Sequence, residues 1–344
     1  MRRIILRALK PTDMKYLLYP TLLLSLLLTV ACEDDDAANY VFPNQYDATT
    51  EVFIEALIPG ENSFLHRVHR TNGADLALPV SESAGALRLP LGKLKDFDPA
   101  SNRLVSMGNG MRDLAFSRFT GNGGGQIDFL PLDFPDIGAV QGQPNQIMFG
   151  DTPNTAWINF GRVLLEGRIN SYDVVLLTDS LAKGSLGLFR MLLDPAADKL
   201  YYFGRDRFWN PSSADSLIVF NAGTFEVEAR RGIRDVFAVI QDPASDRIFG
   251  VTAPGNGGGF RLAEIIPSAT NPVRIISSAD LSIDNVSANL RAIHTASNSL
   301  LVLTGNNSIE NPTNILISID LSSGQITGRT DVLPGQIITG LYAE

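Results

Sequence analysis

One short motif occurs four times along the chain and constrains the fold more than any single residue does. Its copies are DPASNRL from Asp98, DPAADKL from Asp194, DPASDRI from Asp242 and the divergent TASNSLL from Thr295. Aligned on their shared alanines, the copies are separated by 96, 48 and 52 residues, so a unit of about fifty residues recurs. Repeats of about 20 to 50 residues are typical of solenoids, propellers and arrays. The chain is therefore predicted to be a repeat protein.

Further copies are expected at the same spacing, because the first gap is long enough for two units. DATTEVF begins at Asp47, 51 residues before Asp98. QPNQIMF places Pro144 45 residues after Pro99 and 51 residues before Pro195. Both matches are weaker than the four main copies, and the second rests on spacing alone. Six registers of the unit then span the chain.

Within a unit, the pattern is that of short strands separated by turns. In the best copy, LGLFRMLL leads into the turn at Asp194 and Pro195, and KLYYFGR, SLIVFN and FEVEARR follow. These runs are rich in β-branched and aromatic residues, which favour strands, and Asp-Pro is typical of a β-turn. The mature region has no long amphipathic helical pattern with caps. Four short strands per unit predict an all-β protein, a β-propeller with four-stranded blades.

The two ends of the chain are predicted to share one blade. The run from Gln336 to Ala343 is one strand without followers, whereas EVFIEAL, SFLHRVHR and ADLALPV are three strands without a first partner. We predict that the C-terminal strand closes the ring by pairing with the N-terminal strands, which removes two exposed sheet edges. We predict six blades, with seven as the alternative because the stretch from Gly138 to Asp179 can be divided differently. Blades 2 to 6 are expected to begin near Leu87, Asn145, Leu186, Arg234 and Asn289.

Strand periodicity and the DPAxxxL turn resemble those of six-bladed propeller lipoproteins of the NHL, YWTD and lactonase-like type. The resemblance covers about residues 45 to 344. No WD dipeptide, YWTD run or kelch double-glycine signature is present, so no subfamily is identified. A fold of this kind hosts many activities and does not give the function.

The N-terminal segment resembles that of a bacterial lipoprotein. From Met14 the sequence is MKYLLYPTLLLSLLLTVAC, in which a lysine, a long apolar run and small residues precede the chain's only cysteine, Cys32. This order is typical of a signal peptide, and the 16 residues of 16–31 are fewer than the about 20 that a spanning helix needs. The cysteine resembles that of a lipobox, although Thr29 replaces the usual aliphatic residue. We predict a signal peptide over 1–31, with Met14 as the true start, and a lipidated Cys32; an uncleaved anchor and simple secretion are the alternatives.

An acidic run follows the cysteine. Glu33, Asp34, Asp35 and Asp36 resemble the export tag of surface-exposed lipoproteins in Bacteroidota-type bacteria. A solvated tether is the alternative role, since a block of like charge repels itself. Residues 32–46 are thus predicted to be the lipidated cysteine and its tether, and residues 47–344 the propeller. We expect an outer-membrane lipoprotein exposed at the cell surface, with the periplasmic face as the alternative.

The net negative charge of the mature chain disfavours some classes of binding partner. Without residues 1–31, 23 basic and 36 acidic residues remain, a formal net charge of −13. Such a field disfavours nucleic acid and anionic lipid surfaces. With its single cysteine lipidated, the mature protein would have no disulfide, and a domain of about 300 residues buries enough surface without one. We expect a monomer that meets the membrane only through its lipid anchor.

Few residues have the pattern of a catalytic site. His66 and His69 are three apart on a predicted strand and therefore point to opposite faces, which excludes a simple two-histidine metal pair. His294 ends an inner strand beside a turn, where a structural role is expected. No G-x-S-x-G, H-E-x-x-H or EF-hand pattern occurs. We predict no catalytic residue, metal or cofactor; the lactonase-like alternative would need Ca²⁺ held by Glu, Asp and Asn at the axis.

The loops between the second and third strands are the predicted binding surface. GNGGG occurs at 121–125 and 255–259, before the third strand of blades 2 and 5, where a hairpin connection is expected rather than an anion cradle. Aromatic and arginine side chains, typical of interaction hot spots, occur in these loops. The predicted ligand- or partner-binding residues are Arg112, Arg118, Phe119, Arg205, Arg207, Phe208, Trp209, Asn306 and Asn307. Packing of Trp209 against its own blade is the alternative for that residue.

Two functions follow from these predictions. The first is a non-enzymatic, lipid-anchored binding module that presents its loop face to a glycan, a small ligand or a partner protein, as an accessory to an outer-membrane transporter in one version. The second is a lactonase-like or other propeller hydrolase with a central metal site. The centre of the ring discriminates between them, since converging carboxylates and Asn favour the enzyme and a plugged or apolar channel favours binding.

Overall fold

The computed structural model is nearly all β and contains no α-helix among the described residues. The described residues all lie within the unit Gln45–Glu344. They are 47, 49–57, 63–75, 94–98, 103–107, 113–118, 127–131, 144–152, 154–161, 163–179, 181, 187–205, 214–253, 259–283, 290–306 and 312–343. None of the helical structure within these ranges is long and apolar enough to cross a membrane.

Twenty-two strands and one 3₁₀ turn, Thr295–Ser297, make up the described structure. The first eleven strands are β1 (Glu51–Leu57), β2 (Ser63–His69), β3 (Lys95–Asp98), β4 (Arg103–Met107), β5 (Asp113–Arg118), β6 (Ile127–Pro131), β7 (Gln146–Phe149), β8 (Thr155–Phe160), β9 (Val163–Arg168), β10 (Asp173–Thr178) and β11 (Gly187–Asp194). The others are β12 (Lys199–Arg205), β13 (Ala214–Asn221), β14 (Val227–Gln241), β15 (Ile248–Thr252), β16 (Arg261–Ile265), β17 (Val273–Ile275), β18 (Arg291–His294), β19 (Ser299–Asn306), β20 (Thr313–Asp320), β21 (Ile326–Asp331) and β22 (Ile337–Tyr342).

The strands form antiparallel sheets in which neighbours in sequence pair. Three sheets have four strands each, β3 to β6, β7 to β10 and β18 to β21, and a fourth has the order β11 to β17. The stretch from Gly138 to Asp179 thus contributes one four-stranded sheet. The predicted unit of four strands joined by short turns is confirmed.

Strand β14 divides the seven-stranded sheet into two groups of four. It is 15 residues long, and its first part pairs with β13 while its last part pairs with β15. Asp235 and Ala238 have positive φ values of 31° and 49° inside the strand, and the ladder shifts register there. The strand is therefore the fourth of one group and the first of the next.

The C-terminal strand pairs with the N-terminal strands, as predicted. Strand β22 lies beside β1 in antiparallel register, with Phe53 opposite Tyr342 and Leu57 opposite Ile337, and β2 lies on the other side of β1. Asp75 adds an isolated bridge to Val68, at the start of the predicted strand ADLALPV, whose later residues are outside the described ones.

The first strands of successive groups are neighbours in space. Strand β3 contacts β7, β7 contacts β11, β11 contacts β14, β14 contacts β18, and β18 contacts β22. The aromatic rings of Tyr342 and Phe97, 5.3 Å apart at their centroids, join β22 to β3 and complete the cycle. We call the region between these six strands the ring centre. This cycle is what six blades require, and the number of blades stays a prediction.

Apolar side chains fill the spaces between neighbouring sheets. One cluster joins Val52 and Leu341 to Leu301 and Leu316 of the sheet β18 to β21. Others lie between the next pairs of four-strand groups around the cycle, and most of their members are almost fully buried strand residues. Burial at about 25 cal/mol per Å² makes these clusters the main favourable contribution to stability.

The repeated Asp-Pro turns join the first and second strands of their groups. Asp194 and Asp242 each accept a hydrogen bond through Oδ1 from a backbone N–H two or three residues later. In the divergent copy, His294 takes the same place, and its Nδ1 accepts from the N–H of Ser297 at 3.2 Å. The turn therefore needs a short side-chain acceptor at this position, which explains the structural role of His294.

Two sequence placements are wrong. Pro144 precedes β7 and does not lie between the first and second strands; the connection between those strands comes after Phe149 and before Thr155. The first GNGGG, at 121–125, lies between β5 and β6, the third and fourth strands of their sheet. The placement of Pro144 was wrong because it rested on the repeat spacing alone. The placement of GNGGG before a third strand was wrong because the mixed polar and aromatic run DLAFSR resembles a loop, whereas it forms β5.

Candidate binding site at the ring centre

The predicted loop residues are only partly within the described structure. Arg112, Phe119, Arg207, Phe208, Trp209 and Asn307 lie outside the described residues, and only the backbone is described for Arg118, Arg205 and Asn306. Their proposed role in binding stays a prediction.

The backbone nevertheless corrects one of these placements. Arg205 pairs with Gly187 at the beginning of β11, and Asn306 pairs with Thr313, so both lie where a second strand leads into a third. Arg118 instead ends β5 opposite Arg103, at the end of the sheet that carries the Asp98 turn. Arg118 therefore does not share a face with Arg205 and Asn306, and Phe119 follows it in sequence.

The second glycine-rich loop ends against a carboxylate of the chain itself. The N–H of Gly259 donates to Asp280 Oδ2 at 3.0 Å, and Arg261 Nε donates to Oδ1 of the same side chain at 2.7 Å. A Cβ atom at Gly259 would lie 2.8 Å from the Asp280 Cβ. Glycine here allows a close approach, and this amide is already engaged.

The histidines on β2 have separate partners. His66 Nδ1 lies 3.0 Å from Asp75 Oδ2, and His69 Nδ1 lies 3.1 Å from the Thr71 hydroxyl. Within the described ranges, no three His, Cys, Asp or Glu side chains are arranged to hold a metal ion.

Five charged side chains and one tyrosine lie at the ring centre instead. We call this group the central cluster; its members are Glu55, Lys95, Asp96, Arg190, Arg291 and Tyr342. Lys95 and Arg291 occupy equivalent positions, each three residues before the end of a first strand. Those strands end at Asp98 and His294, which pair with Arg103 and Ser299 at the beginning of the second strands. Repetition of the unit thus places side chains from different groups at one level of the ring.

Glu55, Lys95 and Tyr342 form one part of the central cluster. The Glu55 side chain has no exposed surface; both of its oxygens accept from Lys95 Nζ at 2.5 Å, and its Oε2 accepts from the Tyr342 hydroxyl at 2.9 Å. Glu55 lies opposite Gly340 on β22, and a Cβ there would lie 2.3 Å from the Tyr342 oxygen. Gly340 therefore leaves the space that Tyr342 occupies.

This arrangement holds Tyr342 in its neutral form. Burial raises the pKa of Tyr342 well above its usual value, and the nearby charge of Glu55 raises it further. The hydroxyl is consequently a hydrogen-bond donor to the carboxylate and not a base. The described contacts pair Glu55 with a cation and a donor, so its charge is compensated locally.

An ion pair between Asp96 and Arg190 forms the second part. Arg190 Nη2 donates to Asp96 Oδ1 at 2.8 Å, and Asp96 Oδ2 accepts from the N–H of Phe149 at 3.0 Å. Asp96 belongs to β3 and Arg190 to β11, and β7 lies between these strands in the cycle. The ion pair therefore reaches across the ring centre and not between adjacent strands.

Arg291 enters from a third strand, β18. Its Nε donates to the Val239 carbonyl at 2.6 Å. Burial lowers the pKa of Arg291 well below its usual value, the charge of Arg190 lowers it further, and Asp96 acts in the opposite direction. Arg291 thus lies on one of the six strands that surround the ring centre.

Sequence reasoning missed the central cluster, although a signal was present. In three of the units, a basic residue lies within an apolar first strand or at its beginning. These residues are Lys95, Arg190 and Arg291. Arg291 is buried and Lys95 and Arg190 are partly buried, and charges removed from water in this way mark functional or pairing sites. What the sequence did not contain was their mutual distance, because the three come from strands separated by up to 196 residues of chain.

Comparisons with known proteins agree on the fold. No protein family and no curated protein matches the chain. A solved nidogen–laminin complex contains a chain that is 11% identical, with a TM-score of 0.52 over 85% of this chain and 97% of that one. A structure titled a putative 6-phosphogluconolactonase, from Bacteroides fragilis, is 9% identical with a TM-score of 0.51, over 86% and 98%. At these identities the likeness shows the fold alone, and the chain is a β-propeller protein.

Proposed function

We propose that the protein is a lipid-anchored binding protein of the bacterial outer envelope that holds a small ligand at its ring centre. Cys32 after the apolar run and the acidic residues behind it support the anchor and export to the cell surface. Delivery of the captured ligand to an outer-membrane transporter would fit such a location. A glycan or a partner protein at the loop rim, which includes Trp209, is the wider form of the same proposal.

The observation that carries this proposal is the ion pair between Asp96 and Arg190 at the ring centre. Desolvation of charged groups is costly, and an apolar interior of the same volume is often as stable. Binding sites, by contrast, combine an enclosed space with a few convergent polar groups. The central cluster supplies convergent polar groups, because β3 and β11, which are not adjacent, each supply one charge of the Asp96–Arg190 pair.

A hydrolase is the second candidate. The fold likeness to the putative 6-phosphogluconolactonase and the buried Glu55, Lys95 and Tyr342 favour it. Its Ca²⁺ version would require ligands from residues beyond the described ones, in addition to carboxylates such as Asp96.

Native mass spectrometry of the full-length protein, extracted from its membrane in mild detergent, tests the proposal. We expect a small molecule to remain bound to the wild type and to be lost from Arg190→Gln, while Arg230→Gln, at an exposed position on β14, retains it. The same preparations are assayed for hydrolysis of 6-phosphogluconolactone. Turnover that Arg190→Gln abolishes would instead favour the hydrolase, and a wild type with neither bound ligand nor turnover would contradict both.

A further inference from the structure

One interface of the ring differs from the others in the side chains that fill it. The apolar clusters lie between the other five pairs of neighbouring four-strand groups. Among the residues that the structure describes, no such cluster joins the sheet of β1, β2 and β22 to the sheet of β3 to β6. We call the contact between these two sheets the charged seam.

Alternation of side chains along β1 produces this difference. Val52, Ile54 and Ala56 point to the apolar cluster that is shared with the sheet of β18 to β21. Glu51 and Glu55 point the opposite way, toward β3, and both are almost completely buried. One strand thus packs apolar side chains against one neighbouring sheet and carboxylates against the other.

Two ion pairs are buried at the charged seam. Glu55 pairs with Lys95 across the seam, and the two side chains are 0% and 9% exposed. Glu51 Oε2 lies 3.0 Å from Arg67 Nε, and these side chains are 9% and 1% exposed. Arg67 is opposite Phe53 in the ladder between β1 and β2, so it lies on the seam face of its sheet.

Ser106 lies at the charged seam on the side of β4. It is opposite Lys95 in the ladder, it has no exposed surface, and its hydroxyl has no hydrogen-bond partner among the described residues. The preceding residue, Val105, is equally buried but belongs to the apolar cluster between the sheets β3 to β6 and β7 to β10. These two neighbours in sequence therefore lie at two different interfaces.

The two kinds of interface respond differently to separation in water. Separating two apolar faces is unfavourable in proportion to the apolar area that becomes exposed. Separating the charged seam also exposes apolar surface, such as that of Phe53, but it hydrates the buried charges of Glu55 and Lys95 and the hydroxyl of Ser106. The desolvation cost of these groups is then recovered. Hydration therefore offsets part of the cost of opening at the charged seam.

We propose that the ring opens locally at the charged seam, as a lateral gate, while the five interfaces with apolar clusters stay closed. The sheet of β1, β2 and β22 moves with the sheet of β18 to β21, against which its apolar face packs. The strand ladders stay intact, because the seam lies between two sheets and not within one. Opening of the seam does not depend on a ligand at the ring centre, so it holds or fails separately from the proposed binding function.

Thiol labelling of two cysteine variants of the full-length protein, Ser106→Cys and Val105→Cys, tests this motion. Peptide mass spectrometry after reaction with iodoacetamide measures the rate at each position separately from Cys32. We expect position 106 to react at least about tenfold faster than position 105, because local opening exposes only the first of them. Low concentrations of urea should leave the rate at position 106 nearly constant and raise the rate at position 105, since global unfolding exposes far more surface. Equal rates with the same urea dependence at both positions would overturn the proposal.

A combined variant tests whether the buried charges cause the opening. Glu55→Met, Lys95→Met and Tyr342→Phe, introduced together into Ser106→Cys, remove one buried ion pair and the hydroxyl that donates to it, and they keep similar volumes. Labelling at position 106 should then slow at least about tenfold, toward the rate in Val105→Cys. Urea denaturation of each variant corrects the rates for differences in global stability. If the combined variant does not fold, the comparison of positions 106 and 105 decides alone; a folded combined variant with unchanged or faster labelling overturns the gate.

Discussion

At the scale of single residues, the repeat is explained by the needs of one turn. The last position of the three described turns has a left-handed backbone, with φ of 54° at Asp198, 57° at Asp246 and 47° at Asn298. Asp and Asn are the residues other than glycine that adopt this conformation most readily. The backbone conformation thus restricts the residue type at the last position of the motif. At the first position, the side-chain carboxylate of Asp194 or Asp242 accepts a hydrogen bond from a backbone N–H of the same turn.

We predict that Asp246→Val lowers the free energy of unfolding by about 1 to 2 kcal/mol, because a β-branched residue is disfavoured at positive φ. Asp246 is exposed, so packing does not contribute to the change. Urea denaturation measures the effect, and Asp246→Asn is the matched control that removes the charge but keeps the conformational preference. Equal stability of the Val and Asn variants would show that backbone conformation does not limit this position.

The candidate site was not predictable at this scale. Sequence reasoning selected arginines and aromatics of the loops, such as Arg207 and Trp209, because exposed hot-spot residues have a recognisable composition. Arg190 and Arg291 lie in apolar strands, where a single charge has no local pattern that distinguishes pairing from function. Their meeting depends on the closure of the ring, which is a long-range property.

At the scale of strands and sheets, most of the architecture was predictable. Alternation, turn residues and spacing predicted the four-strand unit and the pairing of β22 with β1, since these depend on local periodicity and on the need to cover sheet edges. The continuous strand β14 was not predicted. Positive φ at Asp235 and Ala238 allows one strand to serve two groups, and alanine, unlike aspartate, is not a residue type that indicates positive φ.

Deletion of 336–344 should abolish cooperative unfolding. Strand β22 buries Ile338, Leu341 and Tyr342, and its loss exposes the edge of β1. Losing this much packed apolar surface costs on the order of 5 kcal/mol or more, comparable to the whole stability of many domains. Thermal unfolding followed by circular dichroism measures the change, with deletion of Glu344 alone as the control. A truncated chain that melts as sharply as the full-length one, at the same temperature, would place β22 outside the cooperative structure.

At the scale of the whole molecule, the predicted anchor decides where any ligand is met. The signal peptide, the lipidated Cys32 and the acidic tether lie outside the described residues, and their roles stay predictions. A soluble propeller and a tethered one would bind the same ligand, but only the tethered one would raise its concentration beside a transporter.

Cys32→Ser is expected to release the protein from membranes, because the acyl chains attached through the cysteine sulfur supply the hydrophobic anchor. Membrane sedimentation and incorporation of labelled fatty acid measure this change, with the wild type as the positive control. Ser101→Ala is the matched control for a hydroxyl change elsewhere in the chain. A variant that sediments like the wild type, together with a wild type that incorporates no label, would contradict the lipoprotein assignment.

The position of β1 between β2 and β22 has a mechanical consequence for a protein held at its N-terminus. Tension transmitted along a tether would enter the propeller at Glu51 and pull along β1. Because β1 is hydrogen-bonded on both sides, the bonds of two ladders would resist this shear together, and they could not open one after another as in peeling. The sheet of β2, β1 and β22, which joins both chain ends, would then bear the force that flow or a departing ligand exerts on the tethered protein.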